Sequence, residues 1–143
     1  MKLLDLNLLL YAVNADAAHH RSAKRWLEAA LADDEPVALP WVVLLGFLRI
    51  ATNHHILAQP LTVEQALAVV DGWLSQPGVR VLPPGEEHWR VLKTLLAETG
   101  TAGNLTTDAH LAALAIEHGA TLFSTDTDFQ RFTKLRWVNP LRT

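Results

Sequence analysis

Residues 104–129 read Asn-Leu-Thr-Thr-Asp-Ala-His-Leu-Ala-Ala-Leu-Ala-Ile-Glu-His-Gly-Ala-Thr-Leu-Phe-Ser-Thr-Asp-Thr-Asp-Phe, and this stretch decides the fold. The helical spacing of its apolar positions predicts one inward face, made of Leu111, Leu114, Ala115 and His118. Gly119 is a typical helix stop, and residues 120–124 have the pattern of a short buried strand. In a parallel α/β sheet, functional groups lie at the carboxyl ends of the strands. We therefore expect Asp108, at the helix start, and Asp126, after the strand, to meet there.

The chain has the composition of a globular protein: of its 143 residues, 50% are hydrophobic and 19% are charged. This length suits a single domain, expected to comprise residues 1–143. Cysteine is absent, which excludes a disulfide framework and a thiolate metal site, and Asp5 comes too early for a signal peptide. No apolar run reaches the roughly 18 residues of a membrane span. These features predict a cytoplasmic protein that does not enter a membrane.

The charge balance restricts where a nucleic acid can bind. The formal net charge of −3 argues against a generally basic surface, so RNA or DNA must use a local patch. The best local patch is the outer face of a helix expected at 18–32, where Arg21, Lys24 and Arg25 stand at i, i+3 and i+4. A solvated helix face is the alternative interpretation of this triplet.

Strands and helices alternate along the rest of the chain. Strands are expected at 2–6, 36–39, 79–82, 120–124 and 135–138. Helices are expected at 8–13, 18–32, 41–50, 62–75 and 86–98, in addition to the helix that ends at Gly119. This alternation predicts the fold class α/β, as a three-layer sandwich with a mainly parallel central sheet.

The apolar residues predict parts of the core. Helix 41–50 is apolar nearly all round, so it is expected to be buried or to face a partner. Gly46 in its middle costs about 1 kcal/mol relative to Ala, which indicates close packing there. The tryptophans are spaced like core residues, and the core of helix 86–98 is expected to contain Trp89, Leu92, Leu95 and Leu96. Base stacking, the other use of a tryptophan, would require an exposed ring.

Acidic residues stand at the junctions between predicted strands and helices. Asp5 ends the first strand, where capping of the next helix is the structural alternative. Together with Asp108, Asp126 and Asp128 it makes a candidate cluster of like charges, which must protonate or bind a cation. An all-oxygen ligand set favours Mg²⁺ or Mn²⁺. Such ions assist attack on phosphorus, so the cluster predicts hydrolysis of a phosphodiester.

Other catalytic constellations lack their defining spacing. The seven histidines contain no His-x-x-x-His pair, so they are expected on surfaces or in loops. His110, beside Asp108, is expected to face solvent. The absence of Gly-x-Ser-x-Gly, Walker and Gly-x-Gly-x-x-Gly turns argues against serine hydrolase, P-loop and dinucleotide-binding functions.

Three motifs in this order resemble those of the PIN-domain ribonucleases, in particular the VapC-type toxins of bacterial toxin–antitoxin pairs. They are Asp5-Leu-Asn7, Asp108-Ala-His-Leu-Ala-Ala-Leu-Ala and Ser124-Thr-Asp126-Thr-Asp128-Phe129. The likeness spans nearly the whole chain. It implies a Mg²⁺- or Mn²⁺-dependent endoribonuclease that cuts structured RNA such as tRNA or rRNA. It also implies a toxin homodimer, silenced by a small antitoxin that wraps the apolar helices and blocks the acidic pocket.

The resemblance assigns roles to individual residues. Those that match the family's catalytic, metal-binding acids are Asp5, Asp108 and Asp126, with Asp128 as an auxiliary metal-binding acid. Those that match residues orienting the acids are Asn7 and Ser124. The family commonly has Leu-x-Glu-Phe-Leu-Arg in its third helix, whereas this chain has Gly46 in place of the glutamate. A second ion is therefore expected to bind more weakly, and catalysis by one tightly held ion is expected.

Two other interpretations stay open, of which the first rests on Gly46 in place of the family's glutamate. One is a catalytically weakened PIN-like domain that acts as a protein- or RNA-binding module, and the other is a metal phosphatase acting on small substrates. Discrete RNA products made in Mg²⁺ or Mn²⁺, and absent from Asp126→Ala, would distinguish the ribonuclease from the binding module. Turnover of phosphomonoesters would identify the phosphatase.

Overall fold

The structure is a computed structural model that describes residues 1–142. Within that range its strands are Lys2–Leu4 (β1), Val37–Ala38 (β2), Val79–Arg80 (β3), Thr121–Phe123 (β4) and Trp137–Val138 (β5). Its α-helices are Leu6–Val13 (α1), His20–Ala32 (α2), Trp41–Ala51 (α3), Val63–Leu74 (α4), His88–Thr99 (α5) and Thr106–Glu117 (α6). Short 3-10 helices lie at Gly103–Leu105 and Thr127–Arg131. The expected domain 1–143 includes Thr143, which lies outside the described residues.

The strands form one sheet in the order β3-β2-β1-β4-β5, and each neighbouring pair is parallel. The chain moves outward from β1 to β3 and then crosses back over the sheet to β4. Because crossovers between parallel strands are right-handed, α1 to α4 cover one face of the sheet and α5 and α6 cover the other. The predicted three-layer sandwich is confirmed. The order in which strands are added therefore reverses between β1 and β4. Open α/β sheets bind ligands at such a reversal point.

Two predicted helix ends form as the local sequence dictates. Thr62 and Gln65 make a reciprocal capping box at the start of α4. Gly119 follows α6 with a left-handed φ of 64°, a conformation that glycine adopts without steric penalty. The strands are shorter than expected, since β2 comprises only Val37–Ala38 instead of residues 36–39. Element boundaries are the part of a fold that local sequence determines least.

Helix α6 is the most deeply buried helix of the described chain. Its buried residues, each at most 2% exposed, are Ala109, Leu111, Ala112, Ala113, Leu114 and Ala115. His118, expected on the same inward face, is only half-buried, and its Nε2 hydrogen-bonds Pro83 O at 3.0 Å. Small alanine side chains let α6 approach the sheet closely, so the helix that carries Asp108 is firmly held.

Gly46 is packed closely, as the sequence predicts. A Cβ atom on this residue would lie 2.8 Å from Leu6 Cδ2, which is shorter than an ordinary contact between carbon atoms. Leu6 directly follows Asp5 in the chain. At position 46, where the family has a glutamate, Gly46 is therefore packed against the side chain of Leu6 from α1.

Two tryptophans that were expected in the core are exposed. Trp89 on α5 is 67% exposed, whereas Leu95 on the same helix is 2% exposed. The prediction for Trp89 is wrong because this residue stands at the edge of a broad apolar face of α5, whose other members, Leu92, Leu95 and Leu96, pack against the core. Trp41, at the start of α3, is 58% exposed, and Leu45 one turn later is 60% exposed. Helix α3 is thus buried on one side only.

Candidate active site

The end of β1 and the segment after β4 are adjacent at the carboxyl edge of the sheet. Leu4 lies opposite Phe123 in the β1–β4 register, and Asp5 N–H donates to Phe123 O at 3.0 Å. Helix α6 leads into β4 through one tight turn and runs back against that strand, so its first turn lies at the same edge. Segments far apart in sequence therefore converge at the reversal point of the sheet, as predicted for Asp108 and the other acids.

Three of the predicted acids form a compact cluster. One carboxylate oxygen from each of Asp108, Asp126 and Asp128 lies within 4.8 Å of the other two. The N–H of Asp128 donates to Asp126 Oδ1 at 2.9 Å, which fixes the turn between these residues. Asp128 is exposed, whereas Asp108 and Asp126 are half-buried. Asp5, only 9% exposed, lies beside this closest group but outside it.

The Ser124 hydroxyl connects the segments that carry the acids. It donates to Asp5 Oδ2 at 2.6 Å and accepts from Asp126 N–H at 3.0 Å. It also accepts from Asn7 Nδ2 at 3.3 Å. A hydroxyl has one proton and two lone pairs, so its hydrogen-bonding capacity is fully used. Asp5 Oδ1 accepts from Leu6 N–H at 2.8 Å, so Asp5 also has the capping role considered for it.

The amide of Asn7 has one orientation only. Because the Ser124 proton is donated to Asp5, Asn7 must turn its NH₂ group toward Ser124. Its oxygen, Oδ1, is buried and has no hydrogen-bond partner among the described residues. Asn7 thus contacts Asp5 through Ser124 rather than directly. A buried acceptor without a donor costs about 1–3 kcal/mol, which a ligand that supplies a donor would recover.

Burial and like charges raise the pKa values of two of the acids. The pKa of Asp108 is raised to about 7, first by burial and then by repulsion from the other three aspartates. Burial is also the largest influence on Asp5, whose pKa is raised although hydrogen bonds from Ser124 and Leu6 N–H oppose this. Near neutral pH the cluster therefore retains a proton or binds a cation.

A small divalent cation fits this group of ligands. The closest group consists of carboxylates alone, and hard oxygen ligands suit Mg²⁺ or Mn²⁺. Two positive charges would cancel the repulsion that raises the pKa of Asp108. Asn7 Oδ1, a buried acceptor without a donor, belongs to the side chain that hydrogen-bonds the Ser124 hydroxyl beside these acids. Since Gly46 stands on α3, that helix adds no carboxylate at this position.

The predicted basic triplet lies on the exposed face of α2. One surface depression is lined by His20, Arg21, Lys24, Arg25 and Glu28. Farther along α2, the ring of Trp26 lies 5.2 Å from that of Phe123, measured between centroids. Phe123 directly precedes Ser124, so α2 packs against the strand that leads into the acidic cluster.

The prediction that His110 faces solvent is wrong. His110 Nδ1 hydrogen-bonds His88 Nε2 at 2.9 Å, and His88 Nδ1 bonds Glu117 Oε1 at 2.5 Å. Burial and the neighbouring His88 lower the pKa of His110. Glu117 Oε2 also accepts from Gly85 N–H at 3.1 Å. This network ties α5 to the helix that carries Asp108, and no sequence motif indicates it.

Comparison with known proteins identifies relatives over almost the full length. The PIN domain family model matches residues 2–135. Ribonuclease VapC37 of Mycobacterium tuberculosis is 44% identical, over 98% of this chain and 97% of its own. Ribonuclease VapC33 of the same species is 46% identical, over 96% of each chain.

Solved structures share the fold. The VapBC2 structure from Rickettsia felis matches with a TM-score of 0.72 at 22% identity, over 96% of this chain and 97% of that one. Mycobacterium tuberculosis VapC20, described as a Sarcin-Ricin loop cleaving toxin, matches with a TM-score of 0.69 at 20% identity, over 95% and 99%.

The parallel α/β fold is the architecture that these solved structures share with this chain. The chain belongs to the PIN-domain family, within the group of the VapC ribonucleases. The resemblance drawn from the three sequence motifs is therefore confirmed. The roles of individual site residues remain predictions.

Proposed function

We propose that the protein is the toxin of a toxin–antitoxin pair and acts as a metal-dependent endoribonuclease on structured RNA, either tRNA or rRNA. The cluster of Asp108, Asp126 and Asp128 at the reversal point of the sheet carries the proposal. Full-length relatives named ribonucleases support it. The reaction is hydrolysis of a phosphodiester bond.

The proposed metal site consists of carboxylates from separate parts of the chain. Asp108, Asp126 and Asp128 would hold Mg²⁺ or Mn²⁺, and Asp5 adds negative charge and its unused lone pairs. When bound, the ion supplies Lewis-acid stabilisation of the phosphate oxygens during hydrolysis. Gly46 contributes no further ligand, which supports a single tightly held ion.

Two uncharged residues orient the acids in this proposal. Ser124 donates its only proton to Asp5 Oδ2, which favours the ionised form of that acid and fixes its rotamer. The same hydroxyl holds the backbone of Asp126 in place. Asn7 supports both contacts because its NH₂ group occupies the remaining lone pair of Ser124.

RNA phosphates are proposed to contact the basic face of α2. Arg21, Lys24 and Arg25 are exposed there, and salt-dependent phosphate contacts require exposed cations of this kind. The contact of Trp26 with Phe123 links this helix to the catalytic edge. A backbone that lies across the acids would therefore reach α2.

The proposed partners are a small antitoxin and a second copy of the chain. Solved structures with this fold include toxin–antitoxin complexes, among them VapBC-1 from nontypeable Haemophilus influenzae. Helices α3 and α4 expose apolar side chains that a partner would cover, including Leu45 at 60%, Val63 at 60% and Leu67 at 49%.

Residues 1–143 are proposed to act as one domain. Because tRNA and rRNA are cytoplasmic, we place the protein there. None of the described helices is both long enough and apolar enough to cross a bilayer.

Incubation of antitoxin-free protein with total RNA tests the proposal. Discrete products are expected with Mg²⁺ or Mn²⁺ and are expected to disappear with EDTA. Asp126→Asn is expected to abolish them, whereas Asp71→Asn, an exposed aspartate on α4, is the matched control that keeps them. RNA binding without cleavage by the wild-type chain would instead support a catalytically weakened binding module. Turnover of phosphomonoesters alone would indicate a phosphatase.

A further inference from the structure

Trp41 directly follows the residue that is level with Asp5 at the carboxyl edge of the sheet. Strands β1 and β2 are paired with Leu3 opposite Ala38. The chain remains extended at Pro40, with φ −67° and ψ 156°, so Pro40 is level with Asp5. Neighbouring strands are about 5 Å apart. Trp41, the next residue, therefore begins α3 one residue beyond the position that is level with Asp5.

The exposure of Trp41 is not explained by the packing of the core. Trp73 shows the alternative, because it is 8% exposed and packs against Phe47 with ring centroids 4.8 Å apart. Trp41 is 58% exposed. Exposed aromatic rings are the groups on which unpaired bases stack, and they accept any base because every base has a π-face. The ring of Trp41 is therefore exposed enough to stack on a base, whereas the ring of Trp73 is not.

We propose that Trp41 is a stacking platform for one base of the RNA substrate, at a nucleotide adjacent to the phosphodiester that is cut. This role rests on the ribonuclease function proposed above. A phosphate held at the acids would bring its flanking nucleotide toward the start of α3, where Trp41 lies. Stacking would hold the phosphate in register with Asp5 and Asp126. It would also favour substrates in which the cut nucleotide is unpaired.

The apolar surface farther along α3 from Trp41 is assigned to a protein partner and not to RNA. Leu45, one turn farther along α3, is 60% exposed and lies on the same side of the helix. A protein partner is the other class of molecule that such a surface can bind. We assign Leu45 to that partner and Trp41 to RNA, because only Trp41 lies at the edge that carries the acids.

Cleavage kinetics on a defined RNA hairpin test this role. Trp41→Ala is expected to lower kcat/KM about five- to hundred-fold, the effect of losing one stacked base. Trp41→Phe is expected to retain most activity because a phenyl ring also stacks. Trp89→Ala is the matched control, since this similarly exposed indole lies in the other helical layer and its loss leaves kcat/KM unchanged. In an Asp126→Asn background, Trp41→Phe is expected to remove the quenching of tryptophan fluorescence by the hairpin.

An abasic substrate separates stacking from a general effect on the fold. Removal of the stacked base next to the mapped cut is expected to slow the wild-type chain as much as Trp41→Ala slows cleavage of the intact RNA. Combining both changes is expected to have no additional effect. Full activity of Trp41→Ala overturns the stacking role, and so does a defect confined to antitoxin binding. Failure of the wild-type chain to cut any RNA overturns the ribonuclease function and the stacking role with it.

Discussion

Ser124 holds two of the acids in place, because its hydroxyl group hydrogen-bonds Asp5 and the backbone N–H of Asp126. Ser124→Ala would leave the N–H of Asp126 and the NH₂ of Asn7 without an acceptor, and Asp5 Oδ2 without a donor. We expect a loss of about 1–3 kcal/mol in the free energy of unfolding. We also expect metal affinity or cleavage rate to fall about 10- to 100-fold, as for other residues that orient metal ligands.

Urea unfolding and cleavage rates measure these two effects of Ser124→Ala. Ser124→Thr keeps the hydroxyl and is expected to retain more activity than the alanine variant. Ser22→Ala, at an exposed position on α2, is the control for loss of a hydroxyl elsewhere. An alanine variant with unchanged stability and unchanged metal affinity would remove Ser124 from its orienting role.

Asp108 is expected to make the stability of the metal-free protein decrease with rising pH. Its pKa is about 7 in the folded chain against an ordinary value of 3.8, so the folded state holds this proton more tightly. The stabilising contribution is therefore complete below the ordinary pKa and is lost as the pH rises through the folded pKa. Urea midpoints in EDTA should decline between about pH 4 and about pH 7. Asp108→Asn should flatten this decline, and an identical slope in the variant would contradict the assignment.

Helices α1 and α3 meet at Leu6 and Gly46, where packing opposes helix propensity. Gly46→Ala gains about 1 kcal/mol of helix propensity but brings its Cβ to 2.8 Å from Leu6 Cδ2. In the wild-type background the gain should be largely cancelled. In a Leu6→Ala background, where the contacting methyl is absent, the gain should appear. Urea unfolding of the four proteins should give a coupling of about 0.5–3 kcal/mol, and additive effects would exclude this contact.

The elements that the sequence predicts best are those with a single apolar face. Helix α4 follows from its capping box and its periodicity, and α6 follows from its spacing and Gly119. Helix α3 is apolar on every side, so its sequence carries no signal for the side that remains exposed. The prediction for Trp89 fails for a related reason, because the apolar face of α5 is broader than the surface that covers it, and tertiary packing leaves the edge with Trp89 exposed. Such choices depend on neighbouring elements and not on local sequence.

The site was predictable where each residue follows a strand or opens a helix. Asp5, Asp108 and Asp126 stand at such junctions, and the parallel topology brings junctions together. The hydrogen bonds of Glu117 and His110 to His88 were not predictable, because they join residues separated by 29 and 22 positions without a motif. Only the packing of α5 against α6 brings these side chains together.

At the scale of the whole molecule, binding of a cation should couple to global stability. A ligand that binds only the folded state at one hundred times its Kd stabilises it by about 2.7 kcal/mol. For a chain of this size Mg²⁺ or Mn²⁺ should raise the Tm by about 5–10 °C. Asp126→Asn should lose this shift and Asp71→Asn should keep it, as measured by thermal unfolding with and without the ion. A wild-type Tm that is insensitive to both ions would contradict the proposed metal site.

The hydrogen bond between Ser124 and Asp5 spans 119 positions. After Asp5 has been added to the growing chain, the ribosome must still synthesise most of the polypeptide before Ser124 and Asp126 are present. The acidic site is consequently incomplete, and the nascent chain is expected to be inactive as a ribonuclease, until translation is nearly finished.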